Sequence, residues 1–177
     1  MKQALFLDRD GVINENYGYV YKKEKFTFID GIFDLTKAAK KKGYKVIVVT
    51  NQSGIGRGYY SEEDFKLISN WMCQKFLDKG ILIEKVFYSP FHPTEGIGKY
   101  LKDDFSRKPH PGMIISAKNE FDLDLNNSVL IGDNITDIQS GISAGVRTNI
   151  LFSKDEVNKT DNNFIVVDNL KDSIKFL

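Results

Sequence analysis

Near its start the chain reads ALFLDRDG over residues 4–11, an apolar run that ends abruptly in two acids and a glycine. Four successive apolar residues before a polar turn are typical of a strand that is covered on both faces of a parallel sheet. A carboxylate directly after a buried strand gains no stability unless something pairs with it. The stretch therefore predicts a layered fold and, at the end of its first strand, a functional site.

The rest of the chain alternates strand and helix patterns. Further short apolar runs predict strands at 46–49, 86–88, 129–131, 149–152 and 164–167. Helical spacing of apolar residues predicts helices at 32–42, 61–80, 111–121 and 135–144, and Ser61 with Asp64 resembles a capping box. Strands that alternate with helices form crossover units. We therefore expect an α/β fold with a doubly wound parallel sheet, in a single domain over residues 1–177 without a large cap domain.

Composition restricts the classes of partner. The 177 residues carry 25 Lys and Arg against 24 Asp and Glu, a net charge of +1, so no overall field favours nucleic acid or an anionic membrane. Cys73 is the only cysteine, which fits a reducing compartment, and no signal peptide or membrane-length apolar run is present. We expect a cytoplasmic protein, monomeric, with a small-molecule partner, no nucleic acid and no membrane.

Three acidic or hydroxyl residues follow separate predicted strands. Asp8, Thr50 and Asp133 all fall at carboxyl ends of strands, where open parallel sheets bind their ligands. Asp8 and Asp10 would repel each other unless a cation lay between them, and oxygen ligands favour Mg²⁺. Asp137, one helical turn after Asp133, would support the metal site or simply the start of a helix.

Two further stretches carry features of a phosphate site. TNQS at 50–53 offers the Thr50 hydroxyl and the amides of Asn51, Gln52 and Ser53 as an anion nest, with a purely structural turn as the alternative. RKP at 107–109 offers Lys108 as a cation for the phosphoryl-transfer transition state. Most lysines are solvated surface groups, so only the context of the other motifs favours this role.

Together these residues resemble the haloacid dehalogenase superfamily of phosphotransferases, through the acids at 8 and 10, Thr50, Lys108 and the pair at 132–133. The longer strings FLDRDG at 6–11, TNQSGIGRG at 50–58 and RKPHPGM at 107–113 are more narrowly similar to the D-glycero-D-manno-heptose 1,7-bisphosphate 7-phosphatases, to which the histidinol-phosphate phosphatases are related. The resemblance covers nearly the whole chain. It implies a Rossmann-like haloacid dehalogenase fold.

The resemblance also implies roles for individual residues. Asp8 would be the nucleophile that forms an aspartyl-phosphate, Asp10 the general acid and base, and Thr50 and Lys108 would hold the phosphoryl group. Asp8, the backbone carbonyl of Asp10, and Asp133 would bind Mg²⁺. The candidate substrate-binding residues are Asn16, Tyr17, Gly18, Tyr19, Asn51, Gln52, Ser53, Arg57, Arg107 and Asn134. The implied product is heptose 1-phosphate, a precursor of nucleotide-activated heptose for lipopolysaccharide.

One segment departs from the family pattern. Many members carry a zinc-binding loop of cysteine and histidine ligands, but the matching positions here are Ser89, Phe91, Asp104 and Ser106. Only the carboxylate is a good zinc ligand, so we expect no zinc. The segment 89–108 would then be mobile or held by packing, with candidate anchors Phe91, Tyr100, Leu101 and Phe105.

Other functions fit some of these features. A histidinol-phosphate phosphatase would share the motifs and differ in substrate. A phospho-receiver switch also uses acids, a threonine and a lysine around Mg²⁺, although there the phosphorylated acid lies in mid-sheet. A nucleic-acid end phosphatase is disfavoured by the near-neutral charge. The sequence leaves open which anomer of the heptose at C1 is preferred.

Overall fold

A computed structural model describes residues 1–155 and 163–177. Within these residues six strands form one parallel sheet. They are β1 (Ala4–Leu7), β2 (Lys45–Asn51), β3 (Ile83–Ser89), β4 (Val129–Gly132), β5 (Thr148–Phe152) and β6 (Ile165–Val167), and their order across the sheet is β3-β2-β1-β4-β5-β6. The predicted α/β class with a parallel sheet is confirmed.

The helices lie between the strands along the chain. They are α1 (Ile32–Lys41), α2 (Ser53–Gly56), α3 (Glu62–Leu77), α4 (Gly112–Phe121) and α5 (Ile135–Ala144), with short 3₁₀ segments at Lys23–Lys25, Gly98–Tyr100, Leu125–Asn127 and Leu170–Phe176. The capping box of α3 is present, because the Ser61 side chain accepts from the Asp64 amide and the Asp64 carboxylate accepts from the Ser61 amide. None of the helices in the described ranges has both the length and the apolar character needed to cross a membrane.

Strand β1 lies in the middle of the sheet and is buried on both faces. Leu5 and Leu7 pack into one apolar cluster with residues of α1 and α3. Ala4 and Phe6 point the other way, into a second cluster with residues of α4 and α5. Because successive side chains of a strand alternate between faces, a continuous apolar run is what a doubly wound sheet requires at its centre.

The sheet order brings the polar residues after the central strands together. In register, Leu7 lies opposite Val48 of β2 and Ile131 of β4, so the ends of these three strands are adjacent. The Asp8 amide donates to the Ile131 carbonyl at 3.0 Å, which extends the pairing by one residue. Asp8, Thr50 and Asp133 therefore emerge at one edge of the sheet, as the sequence predicts.

Candidate active site

A buried lysine occupies the centre of this edge. Lys108 Nζ lies 2.8 Å from Asp8 Oδ1, 2.6 Å from Asp137 Oδ1 and 2.9 Å from the Val49 carbonyl oxygen. Only 4% of Lys108 is exposed. Burial alone would lower the pKa of this ammonium, but the carboxylates of Asp137 and Asp8 outweigh it and raise the pKa. Lys108 is thus a charged member of the site and not a surface lysine.

Three carboxylates surround this single ammonium. Asp8, Asp133 and Asp137 each offer an oxygen, and these oxygens all lie within 4.8 Å of one another. Burial raises the pKa of Asp8, and repulsion by Asp137 and Asp133 adds to the rise against the attraction of Lys108. Burial, followed by Asp137, likewise raises the pKa of Asp133. The excess negative charge and the oxygen ligands fit a divalent cation such as Mg²⁺.

Asp137 is already committed to two partners. Its Oδ1 binds Lys108, and its Oδ2 accepts from the Asn134 amide at 3.0 Å in the capping box of α5. It therefore supports both the lysine and the helix start. Asp8 and Asp133 remain as the better-placed carboxylates for a metal ion.

Gly11 explains how the Asp133 carboxylate reaches this position. Gly11 has a φ of +91°, a left-handed conformation that disfavours other residues. A Cβ atom on Gly11 would overlap the Asp133 carboxylate. The glycine after the two acids thus supplies both the turn and the space for an acid from another strand.

The two acids of the DRD stretch have different surroundings. The Asp8 carboxylate faces Lys108, whereas Asp10 Oδ1 accepts from Arg9 Nη2 at 2.8 Å and from Asn14 Nδ2 at 2.9 Å. Asp10 Oδ2 accepts from Gln52 Nε2 at 2.9 Å. Asp8 is paired with a buried lysine, whereas Asp10 is paired with Arg9 and also held by the side-chain amides of Asn14 and Gln52. Such a separation suits two different chemical roles.

The phosphate-nest prediction needs a correction at residue 52. The Gln52 amide donates to the Ser89 carbonyl at 2.7 Å and therefore does not point at a ligand. The Asn51 side chain exchanges two hydrogen bonds with the backbone of Lys108, at 3.0 and 3.1 Å. The Gln52 amide and the Asn51 side chain therefore brace the site, and the amides of Asn51 and Ser53 remain the candidates for the nest. Thr50, 1% exposed, lies at the base of the cleft.

A cleft of about 420 Å³ opens over these groups. Of the predicted substrate-binding residues, those that line it are Asn16, Gly18, Tyr19, Asn51, Gln52, Ser53 and Asn134. Tyr17, Arg57 and Arg107 are not among its lining residues. Tyr60 and Thr136 also line it, and no pattern in the sequence points to either because neither belongs to a recognised motif.

Arg57 and Arg107 lie together beyond the cleft. Arg57 stands 6.0 Å from the ring centre of Tyr19 and binds Glu95 Oε2 at 2.5 Å and His92 Nε2 at 2.9 Å. Arg107 donates to the Phe91 carbonyl at 3.0 Å. Burial lowers the pKa of Arg107, and the positive charge of Arg57 lowers it further. The two guanidinium groups are thus close enough to repel each other.

The four positions that would carry zinc ligands do not fit this metal. Ser106 Oγ lies 2.6 Å from Asp104 Oδ1 and 3.0 Å from Ser89 Oγ, and Lys102 Nζ lies 2.6 Å from Asp104 Oδ2. Partial burial opposes ionisation of Asp104, but hydrogen bonds from Lys102 and Ser106 hold its pKa at about 2. These four side chains offer neither sulfur nor imidazole as a zinc ligand, and the oxygens that they do offer are hydrogen-bonded to one another.

Packing contributes less to this segment than expected. Leu101 is 53% exposed and Phe105 61% exposed, so the expectation that these two anchor the segment is wrong. Phe91 and Tyr100 do pair, with ring centres 6.1 Å apart. Backbone bonds between His92 and Tyr100 and between Lys102 and His92 close the turn. Hydrogen bonds, more than apolar burial, give the segment its shape.

The fold and this charged centre define a phosphatase of the haloacid dehalogenase class. The sequence model of the HAD-hydrolase-like family matches residues 105–173. A D-glycero-alpha-D-manno-heptose-1,7-bisphosphate 7-phosphatase of Burkholderia mallei is 53% identical over 176 residues, which cover 99% of this chain and 93% of that protein. The chain belongs to the family of D-glycero-D-manno-heptose-1,7-bisphosphate 7-phosphatases.

Other members of the family align over different shares of the chain. A relative of Campylobacter jejuni, also named for the alpha anomer, is 43% identical over 98% of this chain and 95% of its own. A relative of Vibrio cholerae, named for the beta anomer, is 46% identical over 85% of this chain and 81% of its own.

Two crystal structures share the fold. A HAD-like phosphatase of Mesorhizobium loti superposes with a TM-score of 0.89 at 31% identity, covering 98% of this chain and 85% of that one. A D,D-heptose 1,7-bisphosphate phosphatase of B. bronchiseptica, crystallised with magnesium and phosphate, has a TM-score of 0.85 at 23% identity, with 98% and 97% coverage.

Mg²⁺ is expected to stabilise the protein through Asp133. A ligand at 100 times its dissociation constant stabilises the folded state by about 2.7 kcal/mol, so the melting temperature should rise on adding Mg²⁺. The Asp133→Asn variant should lose most of this rise, and without Mg²⁺ it should melt no lower than the wild type because one repelling carboxylate is gone. The exposed Asp172→Asn serves as the control. Equal Mg²⁺ shifts in all three proteins would contradict the site.

The segment 89–108 is expected to keep its shape without zinc. A zinc chelator added to protein in Mg²⁺ buffer should leave the melting temperature unchanged. Ser106→Ala should lower the free energy of unfolding by about 1 kcal/mol, because it removes the link between Asp104 and Ser89. The exposed helical Ser143→Ala is the control. A drop in melting temperature with the chelator would show that a bound metal holds the segment.

Proposed function

We propose that the protein removes the C7 phosphate of D-glycero-D-manno-heptose 1,7-bisphosphate and releases heptose 1-phosphate for nucleotide-activated heptose and lipopolysaccharide synthesis. The buried Asp8–Lys108 pair beside a separately held Asp10 carries the proposal, since it provides a nucleophile, a cation and an acid in one cleft. The names of the full-length relatives from B. mallei and C. jejuni support the choice of substrate.

The chemistry proceeds in two displacements. A carboxylate oxygen of Asp8 attacks phosphorus, the bond from phosphorus to the sugar oxygen breaks, and Asp10 gives its proton to the leaving oxygen. Asp10 then takes a proton from water, whose oxygen attacks the aspartyl-phosphate and releases inorganic phosphate and free Asp8. Lys108 and the Thr50 hydroxyl offset the charge on the phosphoryl oxygens throughout.

Mg²⁺ belongs at the same centre. Asp8, Asp133 and the backbone carbonyl of Asp10 are the proposed ligands, and the excess of three carboxylates over one ammonium supports them. When bound, the ion supplies positive charge against the phosphoryl oxygens and allows the carboxylate of Asp8 to approach them.

We further propose that Arg57 and Arg107 receive the C1 phosphate. A bisphosphate carries a second dianion at the far end of the sugar. Arg57 lies over the ring of Tyr19, which lines the cleft, and Arg107 is close enough to Arg57 to feel its charge. They repel each other, and within the described residues the only carboxylate bonded to Arg57 is that of Glu95. A phosphate between them would relieve the repulsion and match the planar guanidinium geometry.

The proposed anomer is α. The two relatives named for the α-anomer align over 98% and 99% of this chain. The V. cholerae protein, named for the β-anomer, has a slightly higher identity than the C. jejuni protein, 46% against 43%, but aligns over only 85% of this chain.

We also propose that residues 1–177 act as one domain, as a cytoplasmic monomer that uses neither nucleic acid nor membrane. The single sheet and the net charge of +1 support this.

Turnover of defined phosphate esters tests the proposed substrate. With Mg²⁺, kcat/KM should be highest on the α-anomer of the heptose bisphosphate, and more than about tenfold lower on histidinol phosphate, a difference of about 1.4 kcal/mol in transition-state stabilisation. Asp8→Asn should abolish turnover while leaving the melting temperature high. The reverse ranking of the two substrates would make the protein a histidinol-phosphate phosphatase. A stable acyl phosphate without turnover would make it a receiver.

Arg57→Gln tests the subsite for the second phosphate. It should raise KM for the bisphosphate about tenfold. It should leave kcat/KM for heptose 7-phosphate nearly unchanged, because this monophosphate has no C1 phosphate for Arg57 to bind. Arg147→Gln changes the same residue type at an exposed position directly before β5, at the amino end of that strand and not at the carboxyl end where the site lies, and is the control. Equal losses on both substrates would assign Arg57 to the fold instead of to the C1 phosphate.

A further inference from the structure

A single side-chain amide connects two groups of the proposed reaction. Gln52 Nε2 lies 2.9 Å from Asp10 Oδ2 and 2.9 Å from Thr50 Oγ1, and Gln52 is only 2% exposed. The amide nitrogen carries two hydrogens, so each partner receives one of them. The carboxyl that protonates the leaving group and the hydroxyl that holds the phosphoryl group are thereby fixed relative to each other.

The orientation of this amide depends on Tyr60. The Tyr60 hydroxyl lies 2.5 Å from Gln52 Oε1 and donates to it. Burial raises the pKa of Tyr60, so the phenol keeps its proton and remains a donor. If the amide were rotated by 180°, its oxygen would face the Asp10 carboxylate, and two acceptors would meet without a hydrogen between them. Tyr60 therefore selects the rotamer in which the nitrogen faces the catalytic groups.

The arrangement also directs the hydrogen of Thr50. Because Thr50 Oγ1 accepts from Gln52, its own hydrogen is left to donate elsewhere. The cleft lies on that side, and a phosphoryl oxygen there would accept it. The Gln52 backbone amide is engaged with Ser89, and both ends of its side chain are bonded within the protein. Gln52 thus has the bonding pattern of a support and not of a substrate ligand.

We infer that Tyr60 and Gln52 are positioning residues for Asp10 and Thr50, with Tyr60 acting through the Gln52 amide. The inference rests on the proposed role of Asp10 as general acid and does not depend on which sugar is the substrate. Tyr60 is itself well fixed in the structure. It is only 7% exposed, and its ring stacks on the ring of Tyr21 with the two ring centres 5.0 Å apart.

Tyr60→Phe removes only the hydroxyl. A comparison of substrates with different leaving groups then shows whether Asp10 still works as the general acid. An alkyl phosphate needs protonation of its leaving oxygen, whereas p-nitrophenyl phosphate releases a stable phenolate and needs little. We expect Tyr60→Phe to lower kcat/KM about tenfold on the heptose bisphosphate and less than about threefold on the aryl ester. Tyr21→Phe makes the same change in the stacked neighbour and should keep both values within about twofold of wild type.

A double-mutant cycle tests whether Tyr60 acts through Gln52. Gln52→Met should also lower the alkyl-to-aryl ratio of kcat/KM, and adding Tyr60→Phe to it should change nothing further. If Tyr60→Phe does not fold, the alkyl-to-aryl ratio of the Gln52→Met variant alone still tests whether Gln52 positions Asp10. An unchanged ratio in a folded Tyr60→Phe protein, or losses that multiply in the double variant, would overturn the inference.

Asp10→Asn separates this inference from the proposed function. If it lowers the alkyl-to-aryl ratio while Tyr60→Phe and Gln52→Met do not, the acid is Asp10 and only the positioning role fails. If Asp10→Asn leaves the ratio unchanged, the role of Asp10 as acid fails, and the positioning inference fails with it.

Discussion

The site depends on one buried ammonium held between two carboxylates, Lys108 with Asp8 and Asp137. Taking charges out of water costs several kcal/mol for each ion, and the cost is recovered only with good geometry and additional hydrogen bonds. Here the bonds of 2.8 and 2.6 Å to the carboxylates and 2.9 Å to the Val49 carbonyl supply both. They join the end of β1, the segment before α4 and the first turn of α5, so the same contacts assemble the fold and the site.

A second buried charge supports the other acid. Arg9 is fully buried between the rings of Phe26 and Phe65, at 6.0 and 5.7 Å, and it donates to Asp10 and to the Val20 carbonyl. Among the described residues its Nε and Nη1 have no hydrogen-bond partner. Such a group costs stability and is uncommon in native structures. Arg9 lies between Asp8 and Asp10 in the sequence, and its hydrogen bond orients the Asp10 carboxylate. We infer that this orientation of Asp10 is what offsets the lost stability.

The sequence predicts the sheet, the long helices and the acids at the strand ends because each has a local signal. An apolar run such as 4–7 reports burial on both faces, and Ser61 with Asp64 marks a helix start. The sequence pattern does not predict helix α2, because its four residues, SGIG, include two glycines, which have low helix propensity. The partners of Gln52 and the position of Arg57 outside the cleft depend on side-chain rotamers, for which the spacing of residues carries no signal.

Hydrogen bonds and ion pairs connect the segment 89–108 to the phosphate-binding end of the sheet. Lys102, Asp104, Ser106 and Ser89 form a continuous chain of polar contacts, and the Ser89 carbonyl then accepts from the Gln52 amide. On the other side Asn51 binds the backbone of Lys108 twice. The segment therefore closes a loop between the residues after β2 and the lysine. Since Lys108 and Gln52 are both fixed by it, the polar bridge contributes to catalytic geometry and not only to the stability of a surface segment.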